Sequence, residues 1–385
     1  MLTQITLKAA DFFTFKSAVF HFTDDSKVHK EIAETSSKPS ENELRLAFLL
    51  EMFKKEKLPE DAKANLALDI GNLYSQLSNP NEALKYYEAA LPIFKKLRDR
   101  GNEAAIIGNI GVSYRIMGDL NTALKYHLQA LEIDRQIGNL QGQASDLGNI
   151  GIIYQTMGDL NTALKYHLQA FEIDRQIGYL EGQAAQLGNV GVIYQTMGDL
   201  DTALKYLLQA LEIDRQIGYL QGQADQLGNI GLIYQAMGNL NTALKYLLQA
   251  LEIDHQIGYL QGQASDLGNI GLIYKTMGDL DTALEYYFQA LEIDRQIGYL
   301  QGQAAQLGNI GLIYQAMGDL DTALEYHLQA FEISKQIEYL EGQAKALSNI
   351  SKVYELRGDL SQAEKYKNQA EKKVAGYCHH ILRNL

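Results

Sequence analysis

The sequence predicts an all-α solenoid of about eight helical hairpins, and two observations carry that prediction. The string Gly-Asn-Ile-Gly, or a near copy, begins at positions 108, 148, 188, 228, 268 and 308, a period of 40 residues. A fixed period in this range marks stacked supersecondary units, each unable to bury its apolar side alone. Within each period, apolar residues fall at helical spacing and two glycine-centred breaks interrupt them, so each period holds two helices. Ser348-Asn349-Ile350-Ser351 is an eroded copy, and Asp69-Ile70-Gly71 with Tyr74 precedes Asn109-Ile110-Gly111 with Tyr114 by 40 residues. The array therefore covers about 62–375.

Taken from the start of the chain, residues 1–36 do not fit the repeat, yet they hold Phe12, Phe13, Phe15, Phe20 and Phe22, five of the 11 phenylalanines. Unprotected aromatic clusters rarely stay in water. The segment reads either as a small cap or short hairpin, or as an occupant of a groove in its own or another copy. Residues 37–61 are expected to form an N-terminal capping helix. Ser40-Glu41-Asn42-Glu43 has the form of a capping box ahead of a helical run, Leu44 to Lys57, that ends before Pro59.

The unit at 143–178 stands for the array. Leu147, Ile150, Gly151 and Tyr154 share one face of a first helix, and Met157-Gly158-Asp159 ends it. Gly158 suits the left-handed closing position, and the Asp159 carboxylate suits the N-terminus of the next helix, Leu160 to Ile177. Ala163, Leu164, Leu168, Ala170, Phe171 and Ile173 are expected to be its buried positions, with Tyr166 on the flank, and Gly178 stops it. Mid-helix glycine costs about 1 kcal/mol relative to alanine. Gly148 and Gly151, repeated across six units, therefore imply close contacts. They are not a phosphate loop, because no strand precedes them. In the last unit Glu364, Lys365, Lys367, Asn368, Glu371, Lys372 and Lys373 make the second helix polar, as a terminal cap requires. Residues 376–385 are left as a tail that packs on this cap or docks elsewhere.

Charge and chemistry narrow the function classes. A net charge of −13 opposes encounter with nucleic-acid phosphates or anionic membranes and suits a neutral or basic protein or peptide partner. First helices rich in Asn and Gln but poor in Lys and Arg point away from RNA. A single cysteine, Cys378, excludes an intrachain disulfide and fits a cytoplasmic protein, and no apolar run is long enough for a membrane span. Cys378-His379-His380 lacks the spacing of a zinc site, so no metal and no cofactor is expected. His127, His167, His255 and His327 lack a nucleophile partner and read as surface or half-buried residues; Glu172 and Asp174 read as a solvated face, with Glu172 and Arg175 at pairing distance. No catalytic set is visible, and the chain is expected not to be an enzyme.

Ile150-Gly151, Tyr154, Ala163, Tyr166 and Ala170 follow the pattern of the tetratricopeptide repeat (TPR) family, which the chain resembles over about four fifths of its length. The 40-residue period is similar to the branch holding kinesin light chains, Pins-type G-protein signalling modulators and prokaryotic TPR sensor proteins. The resemblance implies a right-handed α-α superhelix whose first helices line a concave wall that receives extended peptides. Ser145, Asn149, Ile152 and Thr156, spaced 4, 3 and 4, form a second stripe pointing away from the hairpin core. In that branch asparagines at this place touch peptide, which implies the same for Asn109, Asn149, Asn189, Asn229, Asn269, Asn309 and Asn349. An amide both donates and accepts, so such a ladder can hold a backbone without reading its side chains; a purely structural role between helices is the alternative. Val112, Ile152, Val192, Leu232, Leu272 and Leu312 add an aliphatic strip, and Arg115, Gln155, Gln195, Gln235, Lys275 and Gln315 vary from unit to unit as candidate discriminating positions.

The expected function is a protein–protein interaction scaffold that binds an extended peptide or partner domain along this wall. The alternatives are a regulatory sensor subunit controlling a separate effector enzyme or transcription factor, and a self-assembling array whose similar faces propagate end to end.

Overall fold

The computed structural model describes residues 40–54 and 58–384, with side chains through residue 375. The expectations placed on residues 1–36, and those on the side chains of Cys378, His379 and His380, lie outside the described residues. Among the described residues there are 17 α-helices and no strand. The chain divides into two compact units, Met1–Leu97 and Arg98–Leu385, and the division falls inside the span 62–375.

In the first unit, α1 (Glu41–Phe53) leads into one hairpin, α2 (Glu60–Gln76) and α3 (Pro80–Leu97). Both halves of the capping box form: Glu43 N–H donates to Ser40 Oγ at 3.3 Å, and Ser40 N–H donates to Glu43 Oε2 at 2.6 Å. The box residues themselves make the first turn, so the helix starts at Glu41 rather than Leu44; it is described to Phe53, and the expected end at Lys57 lies outside the described residues. Leu46 packs on Ile70 and Leu73 of the hairpin, with Leu49, Leu50 and Phe53 around them.

The second unit contains seven hairpins: α4 (Arg100–Ile116) with α5 (Leu120–Ile137), α6 (Leu140–Thr156) with α7 (Leu160–Ile177), α8 (Leu180–Thr196) with α9 (Leu200–Ile217), α10 (Leu220–Ala236) with α11 (Leu240–Ile257), α12 (Leu260–Met277) with α13 (Leu280–Gln296), α14 (Leu300–Met317) with α15 (Leu320–Gln336), and α16 (Leu340–Leu356) with α17 (Leu360–Asn384). With the hairpin of the first unit they make the eight pairs read from the period. Helix α17 runs unbroken to Asn384, so 376–384 extend the last helix instead of leaving it as a separate tail.

Local signals act as their chemistry requires. Gly158 takes φ 84°, and Asp159 Oδ1 accepts from Thr162 N–H at 3.1 Å, so one helix closes and the next is capped within two residues. The two helices of every hairpin are pinned by stacked tyrosines, as in Tyr154 on Tyr166 with centroids 5.5 Å apart and planes 6° from parallel. Successive hairpins are clamped where a second helix ends. Gln183 Nε2 donates to the Asp174 carbonyl at 3.3 Å, and Gln143, Gln223, Gln263, Gln303 and Gln343 repeat the bond. The Asp174 carbonyl already accepts from Tyr179 N–H at 2.8 Å, so the glutamine uses its second lone pair.

The buried stripe of the second helices differs from the expected one. Leu168 is 37% exposed, while His167 is fully buried and Asp174 is 2% exposed. The buried row is therefore Ala163, His167, Ala170 and Asp174, at spacings of 4, 3 and 4. His127 and His327 are buried likewise, correcting the surface reading; of the four histidines read from the repeats, His255 is the exposed one. The physical reason is the glycine opposite. A Cβ on Gly151 would lie 2.7 Å from the His167 ring, so the missing side chain makes a slot that a ring fills. Leu207 and Leu247 use the same slot against Gly191 and Gly231, and Tyr287 uses it against Gly271. Glu172 behaves as read, exposed and paired to Arg175 at 2.5 Å.

Candidate functional site

Three clefts open on the first helices of the second unit, of about 360, 560 and 560 Å³, spanning residues 104–149, 181–269 and 301–374. Together they are lined by all seven asparagines: Asn109 and Asn149 in the first, Asn189, Asn229 and Asn269 in the middle one, Asn309 and Asn349 in the last. Helical register explains the gathering. Asn149 immediately precedes Ile150 of the buried face and so sits at its edge, half-exposed, and the 40-residue period repeats the placement. Asn149 Nδ2 is turned back onto the Ser145 carbonyl at 3.0 Å, and Asn109 also has a partner. Asn189, Asn229, Asn269, Asn309 and Asn349 form no hydrogen bond with the described residues, which leaves their amides open to a ligand.

The aliphatic strip divides. Val112, Val192, Leu232 and Leu312 line the clefts, whereas Ile152 and Leu272 do not. Arg115, Gln155, Gln195, Gln235, Lys275 and Gln315 lie outside all three, half-buried on the far edge of the first helices. Burial lowers the pKa of both Arg115 and Lys275. A different variable row lines the clefts: Ala105, Ser145, Ala185, Asp225, Ser265, Ala305 and Lys345. Its signal was the position of Ser145, one helical turn before Asn149 on the same stripe.

Sequence reasoning also missed a row of buried acids. Asp134, Asp174, Asp214, Asp254 and Asp294 close the second helices and are at most 3% exposed. Each sits against a glycine in the first turn of the following helix; a Cβ on Gly182 would fall 2.6 Å from the Asp174 carboxylate. Burial pushes Asp174, Asp214, Asp254 and Asp294 up to about 6. Their recurrence has a structural account, since Tyr179, Tyr219, Tyr259 and Tyr299 give those helix starts no side-chain cap and a carboxylate there complements the helix dipole.

A second row, Asp146, Gln186, Gln226, Asp266 and Gln306, is buried on the following first helices. Its partners depend on the residue in the glycine slot. Asp146 meets His127 Nδ1 at 2.9 Å, and Gln186 meets His167 Nδ1 at 2.8 Å. Where leucines fill the slots, at Leu207 and Leu247, nothing polar is offered from there, and Gln226 Nε2 turns instead to Asp214 Oδ2 at 3.5 Å. Asp266 is pushed up to about 8, by burial first and then by Asp254 and Asp225.

The tetratricopeptide-repeat family profile matches residues 60–136, 142–216, 223–296 and 303–372. The chain belongs to that family. No curated protein matches it in sequence. Among solved structures it is similar to the apo form of the quorum sensor NprR from B. thuringiensis, at TM-score 0.65 and 15% identity over 86% of this chain and 92% of that one. It is also similar to a Rap protein complexed with Competence and Sporulation Factor, at TM-score 0.64 and 14% identity over 89% and 93%. A third is the signal-transduction ATPase (STAND) protein with a tetratricopeptide repeat sensor, PH0952 from Pyrococcus horikoshii, at TM-score 0.62 and 18% identity; it is covered over 56% of its length by 92% of this chain. At these identities the likeness is one of fold.

Proposed function

We propose that the protein is a binding module, not an enzyme, whose row of first-helix asparagines holds the backbone of an extended peptide or partner segment. The observation that carries this reading is the lining of three successive clefts by one asparagine row, five of whose members make no hydrogen bond within the described chain. An amide pair on an extended backbone offers both a carbonyl and an N–H, which one asparagine satisfies together. Half-buried Val192, Leu232 and Leu312 beside the row supply apolar contact without demanding one side chain. With a net charge of −13, the favoured partner is neutral or basic, and nucleic acid and anionic membrane are disfavoured. A single cysteine fits a reducing compartment, and we place the protein in the cytoplasm.

The likeness to a quorum sensor and to a Rap protein complexed with a factor supports a second reading, in which peptide binding regulates a separate effector. The test of the first is replacement of Asn189, Asn229 and Asn269 by alanine together. At about 1 kcal/mol for each lost hydrogen bond, affinity for an extended peptide selected from a random library should fall about 100-fold with the helical circular dichroism intact. Unchanged affinity would overturn it. The sensor reading adds an effector recovered by co-purification and a peptide-dependent change in small-angle scattering.

A further inference from the structure

We infer that the middle cleft is a subsite for one cationic side chain, an arginine or lysine of the bound segment. This deepens the peptide-trough reading and rests on it. The cleft spans α8 to α12 and is lined by five carboxylates, Glu181, Asp214, Asp225, Asp254 and Asp266, and by no lysine, arginine or histidine. Clustered acids alone would say little, but here the buried residues keep acceptor atoms that nothing satisfies, although Gln226 Nε2 donates to Asp214 Oδ2 at 3.5 Å. Asp214 and Asp254 are 1% and 3% exposed, and each has an Oδ1 with no hydrogen-bond partner; Gln226, 7% exposed, has an Oε1 in the same condition. All three line the cleft. An unsatisfied buried acceptor costs stability, more so for an acid, unless something enters to donate to it. Three residues with such acceptors line one open cleft, which suits a donor-rich cation, since a guanidinium or ammonium carries only donors.

The neighbouring clefts serve as internal controls. In the first, Asp146 is held by His127 and Asp134 by Asn139 Nδ2 at 2.9 Å, so its acids are satisfied from within. In the last, Ser334 and Ala346 replace the two acid positions, and Glu341 pairs with Lys345 at 2.7 Å. Only in the middle cleft do leucines in the glycine slots leave Asp266 without a hydrogen bond among the described residues and Gln226 with Asp214 Oδ2 alone, while an additional acid, Asp225, arrives on the wall. The recurring helix-end aspartates have a structural role at each helix start, but that role explains neither Asp225 nor Asp266. Among the described residues no cluster of acids and histidines has the arrangement of a metal site, which favours a side chain over a bare ion.

The experiment uses the full chain and two probes. The first is an array of ten-residue peptides in which arginine, lysine, glutamine or glutamate occupies each position in turn. The second is N-acetylarginine methylamide, compared with its uncharged citrulline analogue and followed by amide NMR shifts of Gly188, Gly222, Gly228 and Gly262. Wild-type protein should prefer arginine or lysine at one position by about tenfold, and the Asp225→Asn, Asp266→Asn variant should lose the preference while still binding neutral peptides. Asparagine is nearly isosteric with a protonated aspartate, so the variant should fold, which circular dichroism checks. The arginine derivative should shift those glycines and the citrulline one should not. Peptides bound without a basic preference, or a preference that survives in the variant, overturn the subsite alone. If no peptide binds, the trough reading fails, and the inference fails with it if the arginine derivative also leaves the glycines unmoved.

Discussion

At the scale of single residues, polar side chains at apolar register carry most of what was unexpected. Gly151 and Gly308 occupy different rows of the repeat and predict opposite responses to the same substitution. A Cβ on Gly151 would sit 2.7 Å from a fully buried imidazole, whereas one on Gly308 would meet nothing within 4 Å because Ala346 stands where other units carry Gln or Asp. Gly151→Ala should therefore destabilise by roughly 1–3 kcal/mol through overpacking. Gly308→Ala should stabilise by about 0.5–1 kcal/mol, the helical cost of glycine removed without a clash. Urea midpoints at constant m decide both, and a stabilised Gly151→Ala would show that the ring slot is loose. Asp266 makes a pH prediction. Its folded pKa is raised to about 8 from an ordinary carboxylate value near 4, so the native state holds the proton longer than the unfolded chain. Stability from this group is full below about pH 4 and is lost as pH rises to about 8. Asp214 and Asp254, raised to about 6, act in the same direction over the lower half of that window. Thermal midpoints should fall between pH 5 and pH 8.5, and Asp266→Asn should flatten the upper part of that slope; a parallel slope in the variant contradicts the assignment.

At the scale of helices, the legible and the illegible parts divide by what periodicity can see. Helix limits such as Leu160 to Ile177 were readable because glycine and a capping acid bracket them, and the family pattern followed from the glycine, tyrosine and alanine positions. The core stripe of the second helix was not. Ala163, His167, Ala170 and Asp174 have the spacing of a buried face, but two of the four are polar, and a hydrophobic pattern shifts the stripe by one residue to Leu164, Leu168 and Phe171. What decides the matter is the glycine on the facing helix, a tertiary fact. The asparagine row was readable in register, while the partners of the buried Asp and Gln row, such as His127 for Asp146 and His167 for Gln186, depended on pairs 19 residues apart. For α1 the contacts make a local prediction. Leu46→Ala removes the buried side chain through which α1 covers Ile70 and Leu73. Cavity formation of this kind costs about 2–5 kcal/mol, and it should appear as faster amide exchange in α1 and α2. Protection unchanged there would mean that α1 contributes nothing to its hairpin.

At the scale of the molecule, near-identical hairpins make stability a sum of unit and neighbour terms. In the second unit that sum can be edited. Residues 220–259 form one period, α10 with α11 and the link that follows. Their deletion joins Tyr219 to Leu260, recreating the Tyr259–Leu260 sequence. The residues brought together are matched as well. Ala203, Leu207 and Leu211 pack on Leu227 and Ile230 in the intact chain, and Leu267 and Ile270 would take those places. The Gln263 clamp, now on the Asp254 carbonyl, would find the Asp214 carbonyl in the same register. The shortened chain should fold cooperatively, with a midpoint a few degrees lower because one set of neighbour contacts is gone. The same deletion removes Asp225 and Asp254 from the middle cleft, and with them the crowding of acids around Asp266. Preference for a basic peptide position should then weaken, while binding of neutral peptides should persist through Asn189 and Asn269. A deletion protein that is unfolded by circular dichroism would contradict the nearest-neighbour account. One that folds yet keeps the full basic preference would assign that preference to residues outside the removed hairpin.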